Sequence, residues 1–355
     1  MMASTAARAI QRIGSLEARL AELGELVDAW TREAVEGAFQ APAERFGDMV
    51  AYHLGWRDTD LGELVAPAPS GKKLRPAIAL LVSEAVCGSI EPAREAAVAI
   101  ELVHNFSLVH DDIQDRSHLR RHRPTLWSLW GTAQGINAGD ALFALAQLVL
   151  VRQQTRPSAD MAAALNTACL RLVEGQFLDL QMQEARVLPT LELYEAMVAR
   201  KTGALFESAG RLGAMAAGAS AAEQEQYASY GLHLGVAFQE QDDILGVWGS
   251  ESETGKPDAA DVIARKKGLP AVLALSRPDV PAWLLTTYTS DEDIPRHTAE
   301  QVIEHFDALG LRGQAEKRVA ERYGAALAAI KEAGGREPAR SRLVAICESL
   351  VSRRS

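Results

Sequence analysis

Apolar side chains recur every three or four positions over most of this chain, the 3.6-residue period of an amphipathic helix. Ile13, Leu16, Leu20, Leu23, Val27 and Trp30 form such a stripe within residues 8–36. It predicts a long N-terminal helix packed on the rest of the same chain, because the stripe is short for a coiled-coil seam. A further helix is expected over 41–53, then a Pro- and Gly-rich loop from Trp56 to Gly71. Helical spacing returns over 73–87, 91–115, 135–154, 158–185, 190–218, 221–247, 298–309, 314–333 and 336–352, punctuated at Gly88, Pro124, Pro157 and Pro189. No series of strand-like alternations with hairpin turns occurs, so the fold class is all-α. Ala138–Val151 and Leu232–Phe238 are apolar on most faces and are expected at the centre of a helical bundle. No internal repeat or low-complexity linker divides the chain. Residues 1–355 are therefore read as one domain, with the amphipathic helix inside 1–40 and the motifs below inside 65–275.

Composition narrows the class. With 48% hydrophobic and 24% charged residues, the chain resembles an ordinary globular protein, large enough to bury a substantial core. A formal net charge of -10 leaves no basic surplus for general nucleic-acid binding. Cys87, Cys169 and Cys347 lie far apart, outside any CxxC pair, which fits thiols in a reducing cytoplasm. No uninterrupted apolar run approaches the roughly 18 residues of a membrane span, and the N-terminus lacks a signal-peptide core. A cytoplasmic protein without stable membrane insertion is expected, although its substrates can still be greasy.

The run from Glu101 to Thr125, ELVHNFSLVHDDIQDRSHLRRHRPT, carries the most chemistry. In a helix Asp111 and Asp115 stack one turn apart, where like charges cost roughly 0.2–0.5 kcal/mol. A divalent cation reverses that sign. Mg²⁺ commonly takes one or two carboxylates and leaves its other positions to water and phosphate. Arg116, Arg120, Arg121 and Arg123 follow at once, and guanidiniums grip phosphate in a fork. A solvated charged face is the alternative for an isolated DDxxD. It is weakened by the apolar Leu102, Val103, Phe106, Leu108 and Val109 just before, since acids at the end of a buried helix need partners.

A second acidic pair, Asp242 and Asp243 in FQEQDDILG, ends another apolar helix. Helices of a bundle can bring two such ends together around metal. The loop from Gly249 to Pro270 then offers Lys256, Lys266 and Lys267, and reads as a lid that excludes water from a reactive cation. Earlier, SGKKLRPAI sets Lys72, Lys73 and Arg75 at a helix start, where backbone N–H groups favour phosphate. Lys201 and Thr202 interrupt an apolar helix in ARKTGALFE, the lysine either snorkelling to solvent or aimed at an anion.

GKKLRP, HNFSLVHDDIQD with RRHRPT, Lys201–Thr202, FQEQDD, and GKP with KKGLP occur in the order and spacing of the trans-isoprenyl diphosphate synthases, the polyprenyl synthetases. The chain resembles short-chain members most, above all geranylgeranyl diphosphate synthases. The resemblance implies an all-α homodimer of the isoprenoid synthase type with a central cavity. It implies Mg²⁺-dependent, head-to-tail condensation of isopentenyl diphosphate with an allylic diphosphate. Asp111 and Asp115 match the ligands of two Mg²⁺ ions and Asp242 that of a third. Lys72, Arg75, His104 and Arg121 match the isopentenyl diphosphate contacts. Arg120, Lys201, Thr202, Gln239, Lys256 and Lys266 match the allylic diphosphate side. His104 lies two turns before Asp111, on the same helical face. Charge on the departing diphosphate is stabilised, an allylic cation forms, and Thr202, Gln239 and the Lys201 carbonyl soften it. The double bond of isopentenyl diphosphate attacks, and the released diphosphate takes the proton.

The pattern has departures. Gly246 stands where the second DDxxD would end, Ser250 replaces a further acid, and Asp258, Ala259 and Ala260 follow GKP where glycine is common. Ser107 and Phe106, four and five residues before Asp111, resemble the floor of a twenty-carbon product pocket. Farnesyl diphosphate is the alternative product. A class I terpene cyclase on the same fold is opposed by Lys72, Arg75 and Arg121, which only an isopentenyl site needs. A non-catalytic partner subunit, suggested by the altered second motif, is opposed by the intact Asp111, Asp115, Asp242 and Lys201.

Overall fold

The computed structural model describes residues 2–66, 68, 71–152, 158–184, 188–250, 259–290 and 292–351, with side chains among them from Leu16 to Leu350. The chain opens with α1 (Met2–Glu36), α2 (Glu44–His53), α3 (Leu74–Cys87) and α4 (Arg94–Gln114). A hairpin of β1 (Leu119–Arg120) and β2 (Arg123–Pro124) leads to α5 (Leu126–Trp130), α6 (Thr132–Val151) and α7 (Ser158–Gln183). Next come α8 (Leu191–Val198), a π-turn over Ala199–Gly203, α9 (Ala204–Ala216) and α10 (Ala221–Trp248). The chain closes with α11 (Ala260–Ile263), α12 (Leu269–Leu275), α13 (Ala282–Thr289), α14 (Arg296–Ala308), α15 (Leu311–Ala333) and α16 (Ala339–Val351).

The long expected helices are all present, their ends displaced by a few residues, and the all-α class holds. Three features escaped periodicity. The helix expected over 190–218 is broken by the π-turn. The short α5, α11, α12 and α13 offer too few turns for a repeat to register. The hairpin LRRHRP has neither alternation nor a glycine, because Arg121 and His122 themselves take the left-handed conformation, at φ 52° and 62°.

The helices cluster into two compact units. The first comprises the chain up to Asn166 with Ser208–Tyr227 and Ala333–Ile346. In it the α1 stripe packs on α3 and α4 of the same chain, with Leu16, Leu23, Val27 and Val35 buried. Arg19 and Arg342 both reach Glu84 on α3, at 3.2 Å and 3.3 Å. The most extensive pairing in this unit is α4 on α6. That pairing corrects the expectation for Ala138–Val151. One face of α6 lies on α4, but Ile136, Leu148 and Val151 stay 44%, 44% and 51% exposed, so α6 is apolar all round without being central. By length and composition α6 is also the one candidate membrane span among the described residues, with 39% of its apolar window buried inside the chain.

The second unit comprises Thr167–Glu207, Ala228–Glu332 and the chain from Cys347. Here α10 is central as expected, with Leu234, Val236 and Ala237 buried. A separate apolar cluster joins Val247, Val262, Leu284, Tyr288, Val302 and Phe306. On α7 the apolar Leu170, Val173, Phe177 and Leu180 share one exposed face.

Glu240, on α10, is fully buried. Arg318 Nε and Arg322 Nε lie 4.0 Å and 3.9 Å from its carboxylate, and both guanidiniums also hold Glu195. Burial pushes Glu240 up to about 7, against the pull of Arg322 and Arg318 and with help from Asp243. The folded state therefore binds a proton here that the unfolded chain releases above about 4.3. Stability from this group rises as pH falls from 7 toward that value. Glu240→Gln removes the effect. Urea unfolding at pH 7.5 and pH 5 should show the wild type gaining roughly 2–3 kcal/mol on the variant upon acidification.

Candidate active site

In the first unit, burying one acid and exposing its neighbour organises the end of α4. Asp115 caps the helix, its N–H donating to the Asp111 carbonyl at 2.8 Å, so the two carboxylates stand one turn apart as expected. Asp111 is half-buried and Asp115 exposed. Asp112 points inward at 2% exposure, and its Oδ1 accepts from Arg120 Nε and Nη2, each at 2.8 Å. Arg120, expected on the allylic diphosphate, is thus clamped to a carboxylate. The clamp holds a hairpin whose two left-handed non-glycine residues cost on the order of 1–3 kcal/mol each. Arg123 repays part of that cost. It donates to the Tyr52 and Arg57 carbonyls at 3.1 Å and 2.5 Å and lies 4.2 Å over the Tyr52 ring, while the Tyr52 hydroxyl donates to the Pro124 carbonyl at 2.8 Å.

The hairpin tip carries Arg121 toward the GKK loop, where its Nη2 lies 2.8 Å from the place a side chain on Gly71 would begin. In that loop Lys73 caps α3 and binds Asp28 and, at 3.8 Å, Glu101, so it is structural. Lys72 is exposed and Arg75 half-buried. His104 is held neutral, well below the usual imidazole range, first by burial and then by the charges of Arg75, Arg121 and Arg120. Three residues matched to the isopentenyl side, Arg75, His104 and Arg121, therefore share one electrostatic neighbourhood. Sequence reasoning missed His53, pushed down to about 3 by burial and by Arg120 and Arg121. The acids acting on Arg121 are Glu101, Asp112 and Asp28, and Asp112 is already held by Arg120.

Ser107 and Phe106 diverge, as adjacent helical residues must. Ser107 is buried with its hydroxyl on the His104 carbonyl at 2.8 Å. The Phe106 ring packs against His110 and against Phe143 of α6, at centroid distances of 5.1 Å and 5.4 Å.

In the second unit the same division recurs. Asp242 is exposed, whereas Asp243 is 2% exposed and takes four donors: Tyr194 Oη at 2.7 Å, Lys266 Nζ at 2.9 Å, Gln239 Nε2 at 3.0 Å and the Leu269 N–H at 3.0 Å. Burial alone would raise its pKa, but Lys266, Tyr194 and the Leu269 N–H bring it below the ordinary carboxylate value. Gln239 also accepts from the Thr202 hydroxyl at 2.9 Å, so Thr202, Gln239 and Asp243 form one chain of hydrogen bonds.

Lys201 and Thr202 sit in the π-turn, a local widening that often marks functional positions. It faces Gly175 on α7, where a Cβ would come within 2.1 Å of the Lys201 backbone nitrogen. Lys201 Nζ pairs with Asp179 at 2.5 Å. Lys267 does not join the acids as expected. Its Nζ donates to the Glu184 carbonyl at 2.7 Å and the side chain is buried. Lys256, and with it the middle of the proposed lid, lies outside the described residues.

Sequence reasoning also missed Asp112, Asp179, Asp243 and Asp261 as partners of the basic residues, and Tyr194 as a donor to Asp243. One signal was available. Glu101, Asn105 and Asp112 recur at helical spacing along an otherwise apolar face, and buried polar stripes require partners. Among the described residues no three His, Cys, Asp or Glu side chains gather into a closed metal site. Half-buried Asp111 and exposed Asp115, one turn apart at a helix end, are hard oxygen donors of the kind that Mg²⁺ takes together with phosphate.

Comparison with known proteins agrees. The profile of the family described as polyprenyl synthetase matches residues 64–305. The chain is 40% identical over 246 residues to the (2E,6E)-farnesyl diphosphate synthase of Mycobacterium tuberculosis, covering 69% of this chain and 67% of that protein. It is 36% identical over 324 residues to the geranylgeranyl diphosphate synthase of the same organism, covering 90% and 92%. A crystal structure of polyprenyl synthetase from Streptomyces coelicolor A3(2) superposes with a TM-score of 0.86 at 33% identity, covering 94% of this chain and 99% of that one.

Gly175→Ala puts a methyl group against backbone, which no rotamer change relieves. It should destabilise the protein by about 1–3 kcal/mol and impair activity through the displaced Lys201 and Thr202. Gly324→Ala, a helical glycine with open space around it, is the control and should stabilise by about 0.5–1 kcal/mol. Denaturant unfolding of both variants checks the pair.

Proposed function

Because this chain belongs to the polyprenyl synthetase family and is a prenyltransferase of the short-chain trans-prenyl diphosphate synthase type, we propose that it carries isopentenyl condensation to geranylgeranyl diphosphate. The observation that carries the product length is the pair before Asp111, a small buried Ser107 beside a Phe106 ring braced by Phe143. The geranylgeranyl relative's match over nine-tenths of both chains supports it. Farnesyl diphosphate is the second reading, favoured by the higher identity to the farnesyl relative over a shorter span.

In this reading Lys72, Arg75, His104 and Arg121 receive isopentenyl diphosphate. The two guanidiniums offer forked donors, and His104, kept neutral by burial and then by the charges around it, hydrogen-bonds without adding charge. Arg120, Lys201 and Lys266, with Lys256, bind the allylic diphosphate. The first three already rest on Asp112, Asp179 and Asp243, so they are oriented before substrate arrives. The family depends on Mg²⁺, which Asp111, Asp115 and Asp242 would hold, three ions per site, and which supplies Lewis-acid charge to the leaving diphosphate. Gln239 is fixed between Thr202 and Asp243, and its carbonyl dipole would soften the developing cation. The free thiols of Cys87, Cys169 and Cys347 accord with a cytoplasmic enzyme.

The exposed apolar face of α7 supports a homodimer in which a second copy covers Leu170, Val173, Phe177 and Leu180. Leu170→Glu with Phe177→Glu should shift the protein from dimer to monomer by size-exclusion chromatography with light scattering.

The deciding assay supplies Mg²⁺, labelled isopentenyl diphosphate and dimethylallyl, geranyl or farnesyl diphosphate in turn, and sizes the products. Twenty-carbon product is expected from each primer. Accumulation at fifteen carbons would install the farnesyl reading. Phe106→Ala should lengthen the products, and an unchanged profile would put the floor elsewhere.

A further inference from the structure

His53 ends α2, and the hairpin is tied to that helix end. Arg123 donates to the carbonyl of the preceding Tyr52 at 3.1 Å, and the Tyr52 hydroxyl donates to the Pro124 carbonyl at 2.8 Å. One nitrogen of the His53 ring, Nε2, is shut off from solvent and has no hydrogen-bond partner, so the bond from the ring to Asn105 is made through Nδ1. Asn105 spends its amide nitrogen on Glu101, at 2.8 Å from the carbonyl and 3.0 Å from Oε1, which leaves its oxygen for the histidine. An amide oxygen accepts and does not donate, so the hydrogen of that bond sits on Nδ1. A neutral imidazole carries one such hydrogen, and Nε2 is therefore a bare lone pair in an enclosed place. A buried acceptor without a donor is costly, and it marks a contact still to be made.

Besides burial, the charges of Arg120, Arg121 and Arg123 bear on this ring. Arg120 has two nitrogens on Asp112, and Arg123 has two on backbone carbonyls. Arg121 has neither kind of anchor among the described residues, and Glu101, Asp112 and Asp28 act on it through their charge alone. We propose that His53 is a positioning residue for Arg121, its Nε2 lone pair taking one guanidinium N–H and so aiming the rest of the fork at isopentenyl diphosphate. A carboxylate would hold Arg121 as Asp112 holds Arg120, but it would also cancel the positive charge that draws a diphosphate. A neutral imidazole orients the guanidinium and cancels nothing. Since a guanidinium has five N–H donors, one spent on His53 leaves the others for phosphate oxygens. The inference rests on the reading of Arg121 as an isopentenyl diphosphate contact.

The test compares the full chain with His53→Gln, His53→Asn, Arg121→Gln and the double His53→Asn with Arg121→Gln. A Gln amide reaches the place of Nε2 and can accept there, whereas an Asn amide reaches only the place of Nδ1 and keeps the bond to Asn105. Steady-state kinetics separate the KM values of the two substrates from kcat, and calorimetry measures affinity for isopentenyl diphosphate alone. His53→Asn should raise the isopentenyl KM and Kd by about tenfold, the scale of one charged hydrogen bond, with the allylic KM within about twofold. His53→Gln should stay within about threefold of wild type, because its acceptor survives. Arg121→Gln should weaken isopentenyl binding at least as much as His53→Asn, and adding His53→Asn to it should change the affinity by less than about twofold, since the group being positioned is gone. A ring with a merely structural role would give the opposite order, His53→Asn being the milder variant. That order would overturn the proposal, as would additive losses in the double variant. So would a proton taken up on isopentenyl diphosphate binding that His53→Gln abolishes, read by calorimetry in buffers of different ionisation enthalpy. If His53→Asn fails to fold, a tenfold loss in His53→Gln, roughly one charged hydrogen bond, still overturns it. Arg121→Gln with wild-type isopentenyl affinity would sink the reading of Arg121 itself, whereas a weakened Arg121→Gln beside an unaffected His53→Asn would sink the positioning role alone.

Discussion

Burying a carboxylate obliges the chain to bring a cation to it, and the candidate active site is built on that obligation. Asp112 and Asp243 are each almost fully enclosed, and an isolated buried anion is too costly to persist. Arg120 answers the first and Lys266 the second. Arg120 comes from the β1–β2 hairpin and Lys266 from the turn between α11 and α12. The ion pair on α4 anchors the hairpin that carries Arg121, and the ion pair on α10 anchors the segment from Ala260 to Leu269. The neighbouring acid of each pair is less enclosed, Asp111 half-buried and Asp242 exposed. One carboxylate shapes the site while the next one can meet solvent, metal or substrate.

This division explains why the cations do not simply point into open space. Arg120, Lys201 and Lys266 all rest on acids, at 2.8 Å, 2.5 Å and 2.9 Å. Such pairs keep charged side chains in a narrow range of positions, so that less reorganisation remains when a polyanion binds. The histidines complement them in the opposite sense. His53 and His104, buried and then opposed by nearby guanidiniums, stay uncharged and leave the local positive field to groups that cannot lose their protons.

Most of the helical frame and the order of the chemical motifs were legible in the sequence, because helical period and acidic or basic spacing are local properties. What was not legible depends on contacts far along the chain. Asp111 and Asp112 are adjacent and chemically identical, and only the packing of α4 decides which is buried. The hairpin turn uses Arg121 and His122 where a glycine would have announced it. Lys267 looks like Lys266 in the sequence, yet one turns to a backbone carbonyl and the other to two carboxylates. The exposed side of α6 was missed for a related reason, since apolarity on every face looks the same whether the cover comes from this chain or from another.

The widened turn at Ala199–Gly203 has one more implication, for how this segment can vary. A π-turn accommodates one residue more than regular winding would. Removing a single residue there would let α8 run straight into α9 and leave the helical faces on either side where they are, because the widened turn is where the extra residue is absorbed. Phe206 would keep its contact with Phe238. What would be lost is the local opening that sets the Thr202 hydroxyl against Gln239. A chain shortened by one residue at this point would keep its packing and lose that hydrogen bond.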